Sequence, residues 1–448
     1  MIKNNLLYIL VIAIFFTGCE ITPDEFEVKQ GSADFSKTLF IGNSLTAGFR
    51  DGELYRSGQM ESFPAIIGQQ LVDAELMTHF TQPLMPDDQG FGGRRVLGYS
   101  ANCNGDVGLA PVPTSAAANL AASSANIADQ GPFQNLGVPG AMVQHLLFAG
   151  YGTSDGNAYF ARFASDPTIT ILEEAMVQDP TFIVTWIGNN DVLGYATSGG
   201  ANPAKPITDA ATFAGALDLV VQTLSANGAK GVLCNIPDVA ATPYFTTVPG
   251  YALVLNAAQA TQLNAAYSNY NQGATAMGLD EMSFSAGPNP FVITDNSAEY
   301  AALGNIRQLK QGELVLLTVP QDSLTCYGMG SASPIPDKYV LTETELTAID
   351  DAVTSFNSSV DQVAEAHNWA VVDMNGFFNM ISETGLRIAG QDLSTTFVTG
   401  GLFGLDGIHL TGQGNAVVAN KIIETINTSY GAKLPKAIVN EYTGVIFP

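Results

Sequence analysis

The sequence predicts an α/β fold built on a parallel sheet with helices packed on both faces. Three observations carry the prediction. Short, almost uninterrupted apolar runs alternate with longer stretches whose apolar residues recur at helical spacing, the pattern of strands buried on both faces and joined by crossover helices. Four of the five apolar runs lead straight into a motif or a loop of unusual composition, as expected where ligands gather at the carboxyl ends of strands. Chemistry-bearing segments also spread from Ser44 to His409. They can converge only inside one large domain. Length alone would divide the roughly 430 residues after the N-terminal leader into about three domains; convergence favours one domain, residues 37–430, carrying large insertions.

The expected strands are Thr38–Gly42, Phe133–Leu136, Phe182–Ile187, Gly231–Ile236 and Ala370–Asp373. Each is a short apolar run bounded by turn residues. Helices are expected at Ala141–Ala149, Asp209–Ala226, Ala257–Met277, Glu343–His367 and Gln413–Ile426. In the second, Phe213, Leu217, Val221 and Leu224 share one face; in the fourth, Leu346, Ile349, Val353, Phe356, Val360 and Val363 form a single stripe. Thr342 and Glu345 stand at capping-box spacing and fix the start of that fourth helix. These stripes belong to the core.

Two regions exceed the sheet and its helices. Residues 79–132 are rich in Gly, Pro, Asn, Ser and Ala with weak periodicity. Residues 280–340 hold the strand-like runs Phe291–Thr294 and Leu314–Val319 among turn residues. Long irregular segments in a regular α/β domain usually shape the substrate pocket, and both are expected to do so here. Residues 431–448 read as a C-terminal tail.

The N-terminus is a targeting segment rather than fold. Lys3 precedes an apolar run from Leu6 to Phe16, about 11 residues, followed by Thr17-Gly18-Cys19. That run is too short to span a bilayer comfortably. The segment resembles a bacterial lipoprotein signal (residues 1–18), which implies that Cys19 is lipidated and becomes the mature N-terminus, anchored in the cell envelope, the outer membrane being the expected site. Residues 19–36 continue as an acidic tether, including Glu20-Ile21-Thr22-Pro23-Asp24-Glu25-Phe26-Glu27.

Composition excludes some functions. Forty-two acidic against seventeen basic residues leave a formal charge of −25, which excludes nucleic acid as a partner, because phosphates need a basic surface. The same charge repels anionic lipid headgroups and so disfavours a purely phospholipid substrate. Besides Cys19 the chain has Cys103, Cys234 and Cys326. Cys234 lies in an apolar run and is expected buried; Cys103 and Cys326, both in loop-like stretches, either pair in an oxidising compartment or stay free. The four histidines (His79, His145, His367, His409) pair with no other His or Cys at ligand spacing, so neither metal nor other cofactor is expected.

Four segments carry chemistry. Gly42-Asn43-Ser44-Leu45 ends the first strand, where a serine hydroxyl can project at the edge of the sheet. Such a serine, taken alone, is more often a helix N-cap. Asn135-Leu136-Gly137-Val138-Pro139-Gly140 ends the second strand, and Gly140 lacks a Cβ that would keep its N–H from a reacting carbonyl. Ile187-Gly188-Asn189-Asn190-Asp191 ends the third with two neutral amides, good donors to a developing oxyanion. Asp406-Gly407-Ile408-His409 spaces a carboxylate and an imidazole so that one turn brings them side by side. Each alone is compatible with an ordinary turn. Together they supply a nucleophile, a base, an orienting acid and oxyanion donors.

In order and in placement, these segments resemble the conserved blocks of the SGNH (GDSL) hydrolase superfamily, over most of residues 37–430. The turn Asn235-Ile236-Pro237-Asp238 and the run Gly401-Leu402-Phe403-Gly404-Leu405-Asp406 are similar to those of its larger esterase and lipase members. The resemblance implies a flavodoxin-like three-layer α/β/α sandwich and metal-independent hydrolysis of carboxylic esters. Ser44 would be the nucleophile, His409 the base and Asp406 its orienting acid, with Ser44 N–H, Gly140 N–H and the Asn190 side chain as the oxyanion hole. Two departures stand out. Asn43 replaces the usual Asp before the serine, which should alter local hydrogen bonding; Leu410 replaces the usual Pro after the histidine, which should loosen that loop. The substrate implied is a small-molecule, lipid or glycan ester. A carbohydrate O-acetylesterase of the same mechanism, or a catalytically silent glycan-binding lipoprotein on this scaffold, are the alternatives.

Overall fold

Five parallel strands form the central sheet: β1 (Thr38–Gly42), β2 (Asn135–Gly137), β3 (Phe182–Trp186), β4 (Lys230–Cys234) and β5 (Ala370–Val372). The computed structural model describes residues 26–153 and 155–448; the expected signal segment, Cys19 and the start of the acidic tether lie outside the described residues. The strands run in the order β2-β1-β3-β4-β5, every pairing parallel, which is the flavodoxin-like order. Side chains alternate between two cores. Leu39, Ile41, Ile183 and Leu233 face one, while Phe40, Phe182, Val184, Trp186, Val232 and Cys234 face the other. Burial on both faces is why these strands read as continuous apolar runs.

The first core is closed by helices α4 (Ala210–Ser225) and α5 (Glu343–His367), whose Phe213 and Phe356 rings stack 4.2 Å apart. Asp209 caps α4, and the Thr342–Glu345 capping box starts α5 as its spacing requires. Five of the six residues in the α5 stripe are buried, Leu346 only partly. The second core is closed by α2 (Phe63–Asp73) and α6 (Gly412–Tyr430). The chain is thus a three-layer α/β/α sandwich. Residues 431–448 lie against it: Leu434, Ala437 and Val439 are buried in the second core, and the Gln413 N–H donates to Thr443 O. No helix among the described residues is long and apolar enough to cross a membrane.

Two helices differ from their sequence patterns. Ala141–Ala149 yields only a short 3-10 segment, Val143–Leu147. There Asp191 takes the Val143 N–H and His145 Nδ1 takes the Met142 N–H, side-chain acceptors that hold the start of the segment. The expected helix Ala257–Met277 breaks at Tyr267 into Ala257–Ala266 and Ser268–Met277. Tyr267 is held at the break by its hydroxyl, which donates to Ser331 O, and by its ring stacked on Phe284.

Both insertions contain small ribbons; the run Phe291–Thr294 reads as strand in sequence, whereas the partners in the first insertion do not. Arg95–Ala101 pairs with Val107–Pro113 in the first; in the second, Val292–Thr294 pairs with Ile306–Gln308. Cys103 and Cys326 are joined, tying the two insertions together, and Cys234 is free and buried. Beyond this scaffold, helices α1 (Ser44–Ala47) and α3 (Asn190–Ala196) begin at the carboxyl ends of β1 and β3. Those strands are neighbours at the point where strand order reverses, the crevice in which open α/β sheets bind ligands.

Candidate active site

The junction of β1 and α1 sets the first group. A Cβ on Gly42 would lie 2.1 Å from Thr46 Oγ1 and 2.3 Å from Trp186 O, so glycine is required because α1 packs tightly on β1 and β3. Asn43, not Ser44, caps α1: its Oδ1 accepts the Leu45 N–H at 3.0 Å. Its Nδ2 donates to Asn189 Oδ1 at 2.9 Å. An aspartate would keep the first bond, and the second only with the Asn189 amide turned to donate. With the cap filled, the Ser44 hydroxyl is left for other work.

That hydroxyl lies 2.8 Å from His409 Nε2, although 365 positions separate the two residues. His409 Nδ1 lies 2.9 Å from Asp406 Oδ2. Asp406 Oδ1 accepts the Ile408 and His409 N–H groups at 2.9 and 2.8 Å, and Oδ2 also accepts the Gly52 N–H at 2.9 Å. Burial pushes the Asp406 carboxyl up, but the charge and ring N–H of His409, with the backbone donors, outweigh it and hold the group below its ordinary value. An ionised Asp406 keeps the ring proton on Nδ1 and turns the Nε2 lone pair toward Ser44. Phe49 packs its ring 4.7 Å from the imidazole.

The loop bearing this pair is not loose despite Leu410. The Gly404 N–H donates to His409 O at 2.7 Å, the Thr411 N–H donates to Leu402 O at 2.9 Å, and Leu410 itself is buried in the second core. Apolar burial and a short antiparallel bridge replace the rigidity that a proline would supply.

Asn190 opens α3 and its Nδ2 donates to Ala141 O at 2.9 Å, leaving a second N–H uncommitted by that bond. This bond ties the loop holding Gly140 to α3, and the Val138 N–H donates to Gly42 O. Gly140 is exposed, with φ +81°, and a Cβ there would meet nothing nearer than 4.0 Å. Backbone handedness, rather than close approach, therefore demands the glycine. Gly140 does not line the cavity described below.

Asp191 is fully buried, and one of its oxygens has no partner. Burial lifts its carboxyl to about 6 against the Val143 N–H bond. A folded-state value above the unfolded one favours the folded protein below the unfolded value, and this contribution is lost as pH rises through about 6. Asp191→Asn should therefore raise stability at pH 7 by on the order of 2 kcal/mol, with the gain vanishing near pH 4. Denaturant unfolding at the two pH values reads it; equal gains at both would refute the assignment.

Ser44, His409, Asn189 and Asn190 form the polar end of a cavity of about 60 Å³. Leu45, Leu193, Val239, Phe378, Phe403 and Ile408 make its apolar wall. Neither insertion lines it, contrary to expectation. The wall comes instead from the 237–242 turn, the helix Met374–Thr384 and the loop before His409. The insertions act from behind: Tyr244 N–H donates to Gly407 O and Leu317 N–H to Tyr244 O, while Phe91 packs on Tyr159, Tyr159 on Phe49, and Phe49 on His409. Phe49 carried no motif; only its place after α1 marks it.

No family model and no curated protein matches the chain. Among solved structures, the chain is similar to an acetyl-xylooligosaccharide esterase from Geobacillus stearothermophilus, with 14% identity, 88% of this chain and 96% of that chain covered, and a TM-score of 0.36. It is also similar to a protein assigned as a GDSL-like lipase from Parabacteroides merdae (12% identity, 89% and 99% covered, TM-score 0.35). A third similarity is to a lipase/acylhydrolase from Enterococcus faecalis (11% identity, 90% and 100% covered, TM-score 0.33).

Proposed function

We propose that this chain is a serine-dependent carboxylic ester hydrolase of the SGNH (GDSL) type, working through an acyl-enzyme. The continuous relay from Ser44 Oγ through His409 to Asp406 carries the reading. Ser44 Oγ attacks the acyl carbonyl as His409 Nε2 takes its proton. The oxyanion is held by the Ser44 N–H and the second N–H of Asn190, with the Gly140 N–H, outside the cavity lining, as the third donor that the resemblance implies. Collapse expels the alcohol, protonated by His409. Water, deprotonated by the same imidazole, then attacks the acyl-enzyme and releases the acid.

The cavity supports a short acyl group. Its space beside Ser44 is small and its wall is apolar, which favours acetyl to butyryl esters, acetyl esters of sugars included, over long acyl chains. The N-terminal sequence supports a lipid anchor on Cys19 in the bacterial envelope, the outer membrane being the proposed site.

A fluorophosphonate probe and a series of p-nitrophenyl esters test the reading. Phosphonylation at Ser44 and fastest turnover at short chains are expected. An unlabelled, inactive protein would favour the binding lipoprotein instead. Asn190→Ala should lower kcat by roughly 10²–10³-fold, with KM nearly unchanged because the donor acts on the oxyanion; steady-state kinetics on p-nitrophenyl acetate measure it.

A further inference from the structure

The segment that follows α1 reaches back to the loop bearing the acid and the base. Asp51 Oδ1 accepts the Leu405 N–H at 2.8 Å, and the Gly52 N–H donates to Asp406 Oδ2 at 2.9 Å. The other oxygen of Asp51 is held in turn: Tyr55 OH donates to Oδ2 at 2.7 Å, and Arg50 Nε lies 3.3 Å from the same atom. Arg50 is itself buried, its Nε donating to Tyr55 OH at 2.6 Å and its Nη1 to Glu61 Oε2 at 2.8 Å. The Arg50 guanidinium, facing Tyr55, Asp51 and Glu61, stays cationic.

Two costs are concentrated at this spot. Asp51 has φ +57°, the left-handed region, which strains a non-glycine residue. Arg50, Asp51 and Glu61 are ions largely withdrawn from water, so their lost hydration must be offset by their mutual attraction. A glycine at position 51 would make the same turn without the backbone cost, but would leave Arg50 paired with Glu61 alone of these two carboxylates. What the aspartate adds is a hydrogen bond to the residue preceding Asp406.

We infer that Asp51, braced by Arg50 and Tyr55, is a positioning residue that sets the Asp406–His409 pair against Ser44. Because the brace begins immediately after α1, the helix carrying Ser44 and the loop carrying His409 are registered to one another through the same short stretch, 48–52. Misplacing reacting groups by about 1 Å costs roughly 10²-fold in rate, so the readout is in kcat rather than KM.

The inference rests on the hydrolase reading and is separable from it. Asp51→Gly accepts the positive φ without strain but cannot hold Leu405. It should lower kcat on p-nitrophenyl acetate by roughly 10- to 100-fold with KM within about threefold. Asp51→Asn keeps an oxygen for the Leu405 N–H and tolerates the same φ, but its NH₂ faces Arg50 Nε and Tyr55 OH; it should restore kcat in part, to between the glycine variant and the parent. If the glycine variant does not fold, Asp51→Ser, too short to reach Leu405, takes its place. Parental kcat in the glycine or serine variant, or an equal loss in the asparagine variant, overturns the inference. A parent whose turnover survives Ser44→Ala overturns the hydrolase reading instead.

Discussion

Ser44→Ala should lower kcat for short p-nitrophenyl esters by roughly 10⁴- to 10⁶-fold while leaving thermal stability nearly unchanged. The two halves of this expectation have separate causes. Activity falls because no other hydroxyl occupies the position 2.8 Å from His409 Nε2, and the residual rate comes from substrate binding and the oxyanion donors alone. Stability holds because the helix cap is Asn43: its side chain accepts the Leu45 N–H, so removing the Ser44 hydroxyl orphans no backbone donor. Had Ser44 been the cap, its loss would have cost about 1 kcal/mol. Steady-state hydrolysis and a thermal melt on the same preparation separate the two effects. A variant that turns over ester at the parental rate would falsify the mechanism.

Asp406→Asn should lower kcat by roughly 10³- to 10⁴-fold with little change in KM. Each carboxylate oxygen accepts two bonds: Oδ1 from the Ile408 and His409 N–H groups, Oδ2 from the His409 ring and the Gly52 N–H. An amide has only one oxygen. If it stays with the two backbone donors of its own loop, the NH₂ group faces His409 Nδ1 and the Gly52 N–H. The imidazole must then accept at Nδ1 and carry its proton on Nε2, pointing a donor at Ser44 where a base is needed. Turned the other way, the NH₂ group opposes two backbone N–H groups and the loop strains. Single-turnover acylation measures the loss directly; a variant acylated at the parental rate would show that Asp406 does not set the tautomer.

Much of this arrangement is legible in the chain. Sheet strands, the α5 capping box and the ends of β1 and β3 follow from runs of apolar residues and from residue types whose local geometry is narrow. Thr342 with Glu345 is such a case, since both partners of the bond lie within one turn. Less legible is anything decided by a contact between distant segments. Tyr267 looks helical in sequence and breaks its helix because Ser331 and Phe284 hold it. The cavity wall was expected from the irregular insertions; it comes from the helix Met374–Thr384, where Phe378 and Ser382 lie one turn apart and both face the cavity. Asp51 bears no motif at all.

Residue chemistry and short-range order were therefore written in the linear chain: which hydroxyl, imidazole, carboxylate and amides were on offer, and at which strand ends they would emerge. Packing decided which of two adjacent residues caps α1, which strands of backbone brace Asp406, and how much room the acyl group has. The reason is one of range. Local propensities act over a few residues, whereas a 2.8 Å contact between residues 44 and 409 exists only once the sheet order and the loops between them have set the distance.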